Sequence, residues 1–458
     1  MLFIPLPPPF ALPRRARGDA ARKALHRRME RDCDFCHFPL RRNFRWHSWI
    51  RKDGMRAECQ TFSVLWRQHP CLKQETVWAH RPWRLSPGFF GIFRTIARWC
   101  CFYNHMMTRR ERVTSAMRHQ QPDRVPVWCL LSLEHIIRNG TPDGNYPVII
   151  DDLVRAECRM AQLYGFDGVI LYLPGIRENT RIDTLLRGWI HTDPRGDPSH
   201  DFSAADPETW EQQRPDCEPA DFHSSRLARE MLGPDYHIGG WTPDAFSRAV
   251  QWFPSMEDAM VAIAEDPVRF TALVSFFESQ CIQAASAQIR YGKAESIQIS
   301  SPFAGSSFIS REIYKNIVLP QLTRLANAIR AESALSYVHT CGFLSDRLEL
   351  VASSGVDGVE CLDPPPLGNV ELGEAKNRVG DKVFLKGNID SVNVLLHGTD
   401  EDVDRAVMRC LKDGMPEGGY ILSTACSVAP AVPPTRIHRI VELAERFGCR
   451  TSPNGDEA

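Results

Sequence analysis

Eight strand-like runs alternating with helical stretches constrain this chain more than any other feature. They fall at 125–131 (VPVWCLL), 166–173 (FDGVILYL), 236–241 (YHIGGW), 295–300 (ESIQIS), 335–341 (LSYVHTC), 357–363 (DGVECLD), 382–390 (KVFLKGNID) and 419–426 (GYILSTAC). Parallel strands need a crossover between them, usually a helix. Helical signals occupy the gaps. Val403, Ala406, Val407, Cys410 and Leu411 form one apolar stripe over 399–413, stopped by Gly414. A further helix follows Ser310, with Ile313 and Ile317 one turn apart and a kink expected at Pro320. Ordered structure is expected to start at Met107, where Thr108 and Glu111 spell a capping box for a helix through Arg118. Residues 174–235 read as an insertion, with a hairpin near 184–192. The expected fold class is α/β, a (β/α)8 TIM barrel over 107–450. A doubly wound sheet is the runner-up, but no Gly-x-Gly-x-x-Gly follows the first strand.

A barrel places its chemistry where strands end, at the C-terminal face. His339 and Cys341 end the fifth run, Asp363 the sixth, Asn388 and Asp390 the seventh, and Cys426 the eighth. One imidazole and two thiols make a three-ligand zinc set with a fourth position open. Spacing alone does not discriminate, because a second His-x-Cys triplet occurs at His69-Pro70-Cys71. The metal-free alternative is two buried cysteines beside a satisfied core histidine. Cys361 and Cys410 read as apolar fillers. Trp128 and Trp241 are candidates to wall a flat ligand, with core packing as the alternative. His135 and His237 are candidate proton carriers near the mouth.

Composition excludes several classes. Hydrophobic content of 43% and charged content of 24% are those of a globular protein. No apolar run reaches the length of a spanning helix. The net charge of −1 conceals an asymmetry: residues 1–106 carry 20 Lys/Arg against 7 Asp/Glu, and the remainder 35 against 49. The first 106 residues show no sustained helical or strand period and are expected to lie outside the fold, as a basic extension or an upstream start. Within them Cys33-Asp34-Phe35-Cys36-His37 spells the c-type haem pattern, but without an export signal its cysteines read as incidental. Residues 451–458 form a polar tail. Cysteine usage suggests no disulfide framework, so the cytoplasm is the expected compartment.

Several segments resemble the uroporphyrinogen decarboxylase superfamily: MTRRERVTSAMRHQQPDRVPVW, GVDGVECLD, KVFLKGNID, LLHGTDEDV and GGYILSTACSVAPAVPP. The likeness covers about residues 107–450 and implies a barrel enzyme. Three departures separate the chain from true decarboxylases. Their Arg-Gln-Ala-Gly-Arg carboxylate clamp is replaced by LLSLEHIIRNG, which offers only Arg138. Their Gly-His-Gly is replaced by Ala425-Cys426-Ser427, and they lack the His-x-Cys of His339 and Cys341.

These departures resemble the cobalamin-linked methyltransferases of the superfamily and the zinc site of cobalamin-independent methionine synthase. The resemblance implies Zn²⁺ on His339, Cys341 and Cys426, with Asp363 as an acidic fourth ligand and Glu360 as its substitute. Asn388 and Asp390 stand as substrate or supporting groups, or as a plain strand-end turn. The segment SSPFAGSSFIS has Ser300, Ser301 and Pro302 where many relatives carry an Asp, which leaves the methyl donor and acceptor open. The expected activity is methyl transfer between a corrinoid, carried by a partner protein, and a thiol or similar acceptor, with a small thiol or a methylated small molecule as substrate. A homodimer is left open, and neither nucleic acid nor membrane is expected as a partner. Decarboxylation of a tetrapyrrole and non-catalytic corrinoid or tetrapyrrole binding are the alternatives.

Overall fold

The computed structural model describes residues 106–183 and 217–449. The expected extension up to residue 105, the 184–192 hairpin and the 451–458 tail lie outside the described residues. Helix α1 (Arg109–Met117) opens the described chain. Its capping box is complete: Thr108 Oγ1 accepts from the Glu111 amide at 3.1 Å, and Glu111 accepts from the Thr108 amide at 2.8 Å.

The sheet is parallel and sequential. Strands β1 (Gly168–Ile170), β2 (His237–Pro243), β3 (Ser296–Ser300), β4 (Leu335–Thr340), β5 (Gly358–Cys361), β6 (Phe384–Ile389) and β7 (Tyr420–Thr424) lie in the order β1-β2-β3-β4-β5-β6-β7. Helices fill the crossovers, so the class is α/β. The segment 125–131, expected as a strand of the ladder, is not one. It makes isolated parallel bridges, Val127 to Leu422 and Leu131 to Val428, while the Asp167 amide donates to the Val127 carbonyl at 2.8 Å. Pro126 sits within this run and has no N–H to give a ladder. The chain following Ser310 behaves as the proline suggests. Helix Arg311–Ile313 passes through a π-turn, Tyr314–Val318, before Leu319–Ala331 resumes regular winding with Pro320 in its first turn.

Two apolar clusters form the interior. The larger lies between sheet and helices, and takes Val403, Val407, Cys410 and Leu411 from helix α2 (Asp400–Gly414). The smaller joins Val113, Ala116 and Met117 of α1 to Trp128, Tyr337, Phe384 and Ile421. Trp128 dictates its neighbours: a Cβ at Gly168 would meet the indole at 2.7 Å, and one at Gly239 at 2.9 Å. Only glycine fits at both positions.

Candidate metal centre

Parallel register builds the site from the strands upward. Ser300 pairs with His339, His339 with Glu360, and Glu360 with Lys386, so side chains from β4, β5 and β6 form one row on one face. His339 is the penultimate residue of β4, and Cys341 follows the strand end. Cys426 lies two residues beyond β7.

The three side chains meet. Cys341 Sγ is 3.3 Å from His339 Nε2 and 3.6 Å from Cys426 Sγ, and all three donor atoms lie within 4.8 Å of one another. Zinc bond lengths in tetrahedral geometry place two thiolates about 3.8 Å apart and a thiolate about 3.5 Å from an imidazole nitrogen. The donor set thus fits zinc in chemistry and in spacing. Asp363 adjoins it. Its Oδ2 accepts from the Gly342 amide at 2.7 Å, while its Oδ1 is buried without a hydrogen bond. Burial raises its carboxyl, against the Gly342 bond that lowers it.

One thiol was not foreseen. Cys361, Cys341 and Asp363 form a second group of donors within 4.8 Å. Strict alternation along β5 would turn Cys361 away from the face that Glu360 shares with His339. The backbone breaks that alternation, with φ of 84° at Cys361 and 57° at Leu362. No local sequence signal announces two consecutive left-handed residues outside glycine.

The electrostatics are those of competing protons. Burial pulls the His339 imidazole down, but the hydrogen bonds and charges of Cys341, Cys426 and Glu360 carry it well above its usual range. Hydrogen bonds from Cys341 and Cys361 hold the Cys426 thiol well below the usual range. Burial drives Cys361 well above it. Glu360 is occupied elsewhere: it faces His339 Nδ1 at 2.9 Å, accepts from Gln298 Nε2, and pairs with Lys386 Nζ at 2.5 Å. Burial would raise its carboxyl, yet Lys386 and His339 bring it down to about 2.

Other candidates stand apart. Asn388 turns its amide onto the carbonyls of Leu362 (3.0 Å) and Val370 (3.2 Å), and its oxygen faces Cys410 of α2. Asp390 accepts from the amides of Val392 and Asn393 at 2.8 and 2.7 Å, holding its own turn. Trp128 is buried, with Lys386 Nζ 3.8 Å over its ring, so no face is open to a flat ligand. Trp241 is half-buried and donates through Nε1 to the Tyr172 carbonyl at 3.1 Å. His135 is buried between the Ala429 carbonyl and the Tyr164 hydroxyl. His237 opens β2, at the end opposite the mouth, beside Ser296 and Glu295, and burial drops its imidazole to about 3. Arg138 is exposed.

A family model described as uroporphyrinogen decarboxylase (URO-D) matches residues 108–447, nearly the whole described chain. The chain belongs to the uroporphyrinogen decarboxylase family. Relatives within the family divide by name. The chain is 27% identical over 176 residues to a methylcobamide:CoM methyltransferase of Methanosarcina acetivorans, covering 38% of this chain and 49% of the relative. It is 26% identical over 189 residues to a uroporphyrinogen decarboxylase of Ruthia magnifica, covering 41% of this chain and 52% of the relative. The match thus spans about half the length of these curated relatives. A solved methyltransferase from Methanosarcina mazei superposes with a TM-score of 0.60 at 18% identity, covering 74% of this chain and 99% of that one. That likeness speaks for the fold. Among the described residues, no helix is long and apolar enough to cross a membrane.

Proposed function

We propose that the protein is a zinc-dependent methyltransferase that moves a methyl group between a corrinoid and a small thiol. The convergence of His339, Cys341 and Cys426 carries this reading, and the names of several relatives agree with it. His339 Nε2, Cys341 Sγ and Cys426 Sγ would hold Zn²⁺. That ion, when bound, supplies the Lewis acidity that keeps an incoming thiol as a nucleophilic thiolate at neutral pH. Asp363 is the acidic group beside the fourth position. Its carboxylate, within reach of Cys341 and Cys361, would be the group placed to take the proton that a substrate thiol sheds. Burial, which raises the Asp363 carboxyl, favours its holding a proton. The methyl-bearing corrinoid arrives on a separate carrier protein. Asn388 and Asp390 hold the strand-end loops. The segment 125–131 lies between β7 and the start of β1, bridging Leu422 through Val127 and accepting from the Asp167 amide.

Metal analysis of the purified full-length protein, joined to a methylcobalamin-to-thiol assay, tests the reading. One zinc per chain and thiol methylation lost in Cys426→Ala are expected. Protein free of stoichiometric zinc would overturn it. Turnover of uroporphyrinogen undiminished by Cys426→Ala would favour decarboxylation instead.

A further inference from the structure

A fully buried charge pair stands directly behind the imidazole of His339. Glu360 is 1% exposed and Lys386 0%. The ammonium sits 2.5 Å from Glu360 Oε1, 3.8 Å above the Trp128 ring and 5.2 Å from that of Tyr337. The other carboxylate oxygen faces His339 Nδ1 at 2.9 Å and also accepts from Gln298 Nε2. Apolar side chains of similar volume fill such a place at no loss of stability, and often with a gain, because two charges must be stripped of water to sit there. Packing therefore does not explain the pair. Its geometry does. A carboxylate fixed at Nδ1 makes that nitrogen the donor, so Nε2 is the nitrogen that would give up its proton and offer its lone pair to a metal ion. Nε2 is the atom that lies 3.3 Å from Cys341 Sγ.

We propose that Glu360 is the positioning residue for His339, and that Lys386, seated on Trp128, holds Glu360 in place. The three form an arm running from the packed interior to the mouth. Register alone sets its spacing, since His339, Glu360 and Lys386 are successive partners across β4, β5 and β6. The arm also gives Trp128 its task, as the platform for the ammonium. Metal-bound histidines are commonly oriented through their second nitrogen, and losing that partner costs about 10–100-fold in metal affinity.

This inference rests on the metal reading above, and the experiment separates the two. Zinc affinity of the folded full-length protein is measured by chelator competition, beside the thermal midpoint of the metal-free form. The informative pair is E360Q/K386M and E360L/K386M. Both remove the buried charges, but only the first keeps an oxygen that can accept from Nδ1. E360L/K386M is expected to bind zinc about 10–100-fold more weakly than wild type. E360Q/K386M should recover most of that loss at a similar midpoint. Single E360Q, which leaves the ammonium unpaired behind the imidazole, should bind more weakly than E360Q/K386M. Equal affinities for the two double variants would overturn the role of Glu360. Additive effects at 360 and 386 would remove Lys386 from the arm. Should the double variants fail to fold, nitrogen NMR of His339 in the zinc-loaded wild type decides: a proton retained on Nδ1 with Nε2 on the metal supports the arm, and any other arrangement overturns it. Wild type without zinc would instead sink the metal reading itself.

Discussion

Two buried polar networks occupy opposite ends of the sheet, and they are built differently. Before β1, Asp167 is closed on all sides. Its Oδ1 accepts from Arg112 (2.6 Å) and Arg124 (3.1 Å), and its Oδ2 from Arg124 (2.9 Å) and the Val127 amide (2.8 Å). At the far end, beyond β4, β5 and β7, three thiols and an imidazole contact chiefly one another, beside Asp363, whose Oδ1 accepts no hydrogen bond from an N–H or O–H. A satisfied network holds parts of a fold in register. An unsatisfied cluster of metal-type donors is costly unless something else completes it. The proposed division, structure at one end and chemistry at the other, rests on this contrast.

The comparison can be broken by experiment. The largest effect on stability is expected from Asp167→Ala, which removes the partner of the buried Arg112 Nη1 and both carboxylate bonds of Arg124. A loss of about 3–5 kcal/mol in urea unfolding is expected, with zinc per folded molecule unchanged. At the other end, Cys426→Ser should lower methyl transfer on the order of 100-fold or more while moving the metal-free unfolding midpoint little. If the two variants exchanged phenotypes, the division between the ends would fail.

Glu157 sharpens the contrast, because it too has an unpartnered buried oxygen yet belongs to neither group of metal-type donors. Burial holds its carboxyl up to about 8, against the single Tyr172 amide that stabilises the anion. A carboxyl raised in the folded state contributes fully below its unfolded value near 4.5, and that contribution is lost as pH rises through about 8. Glu157→Gln should therefore match wild type near pH 5 and exceed it by about 4 kcal/mol at pH 9, read by thermal melts across pH. Zinc content and activity should not change. A loss of metal in this variant would show that one orphan oxygen is enough to mark function. The smallest effect is expected at Asn388→Ala, about 1–3 kcal/mol from two lost carbonyl partners, with zinc affinity retained in the same chelator titration.

Much of this was legible in the residues. Alternating periodicity gave the α/β class, because burial on one face of a strand or helix leaves its period in the chain. The Thr108 capping box placed α1, since a cap is satisfied within four residues. The ends of β4, β5 and β7 marked His339, Cys341, Asp363 and Cys426, because a strand's last residues can be read locally. Pro126 carried a warning about 125–131 that periodicity overrode.

What the sequence by itself determined, then, was which residue types stand at which strand ends. Tertiary structure decided what they face. Register across three strands set Glu360 and Lys386 behind His339, and no local pattern encodes register between segments that are distant in the chain. Left-handed backbone at Cys361 and Leu362 turned a filler into a third thiol at the centre. Packing against α1, Gly168 and Gly239 committed Trp128 to the interior, because an indole is placed by the space its neighbours leave. Faces follow from local alternation, but neighbours follow from how the whole chain closes on itself.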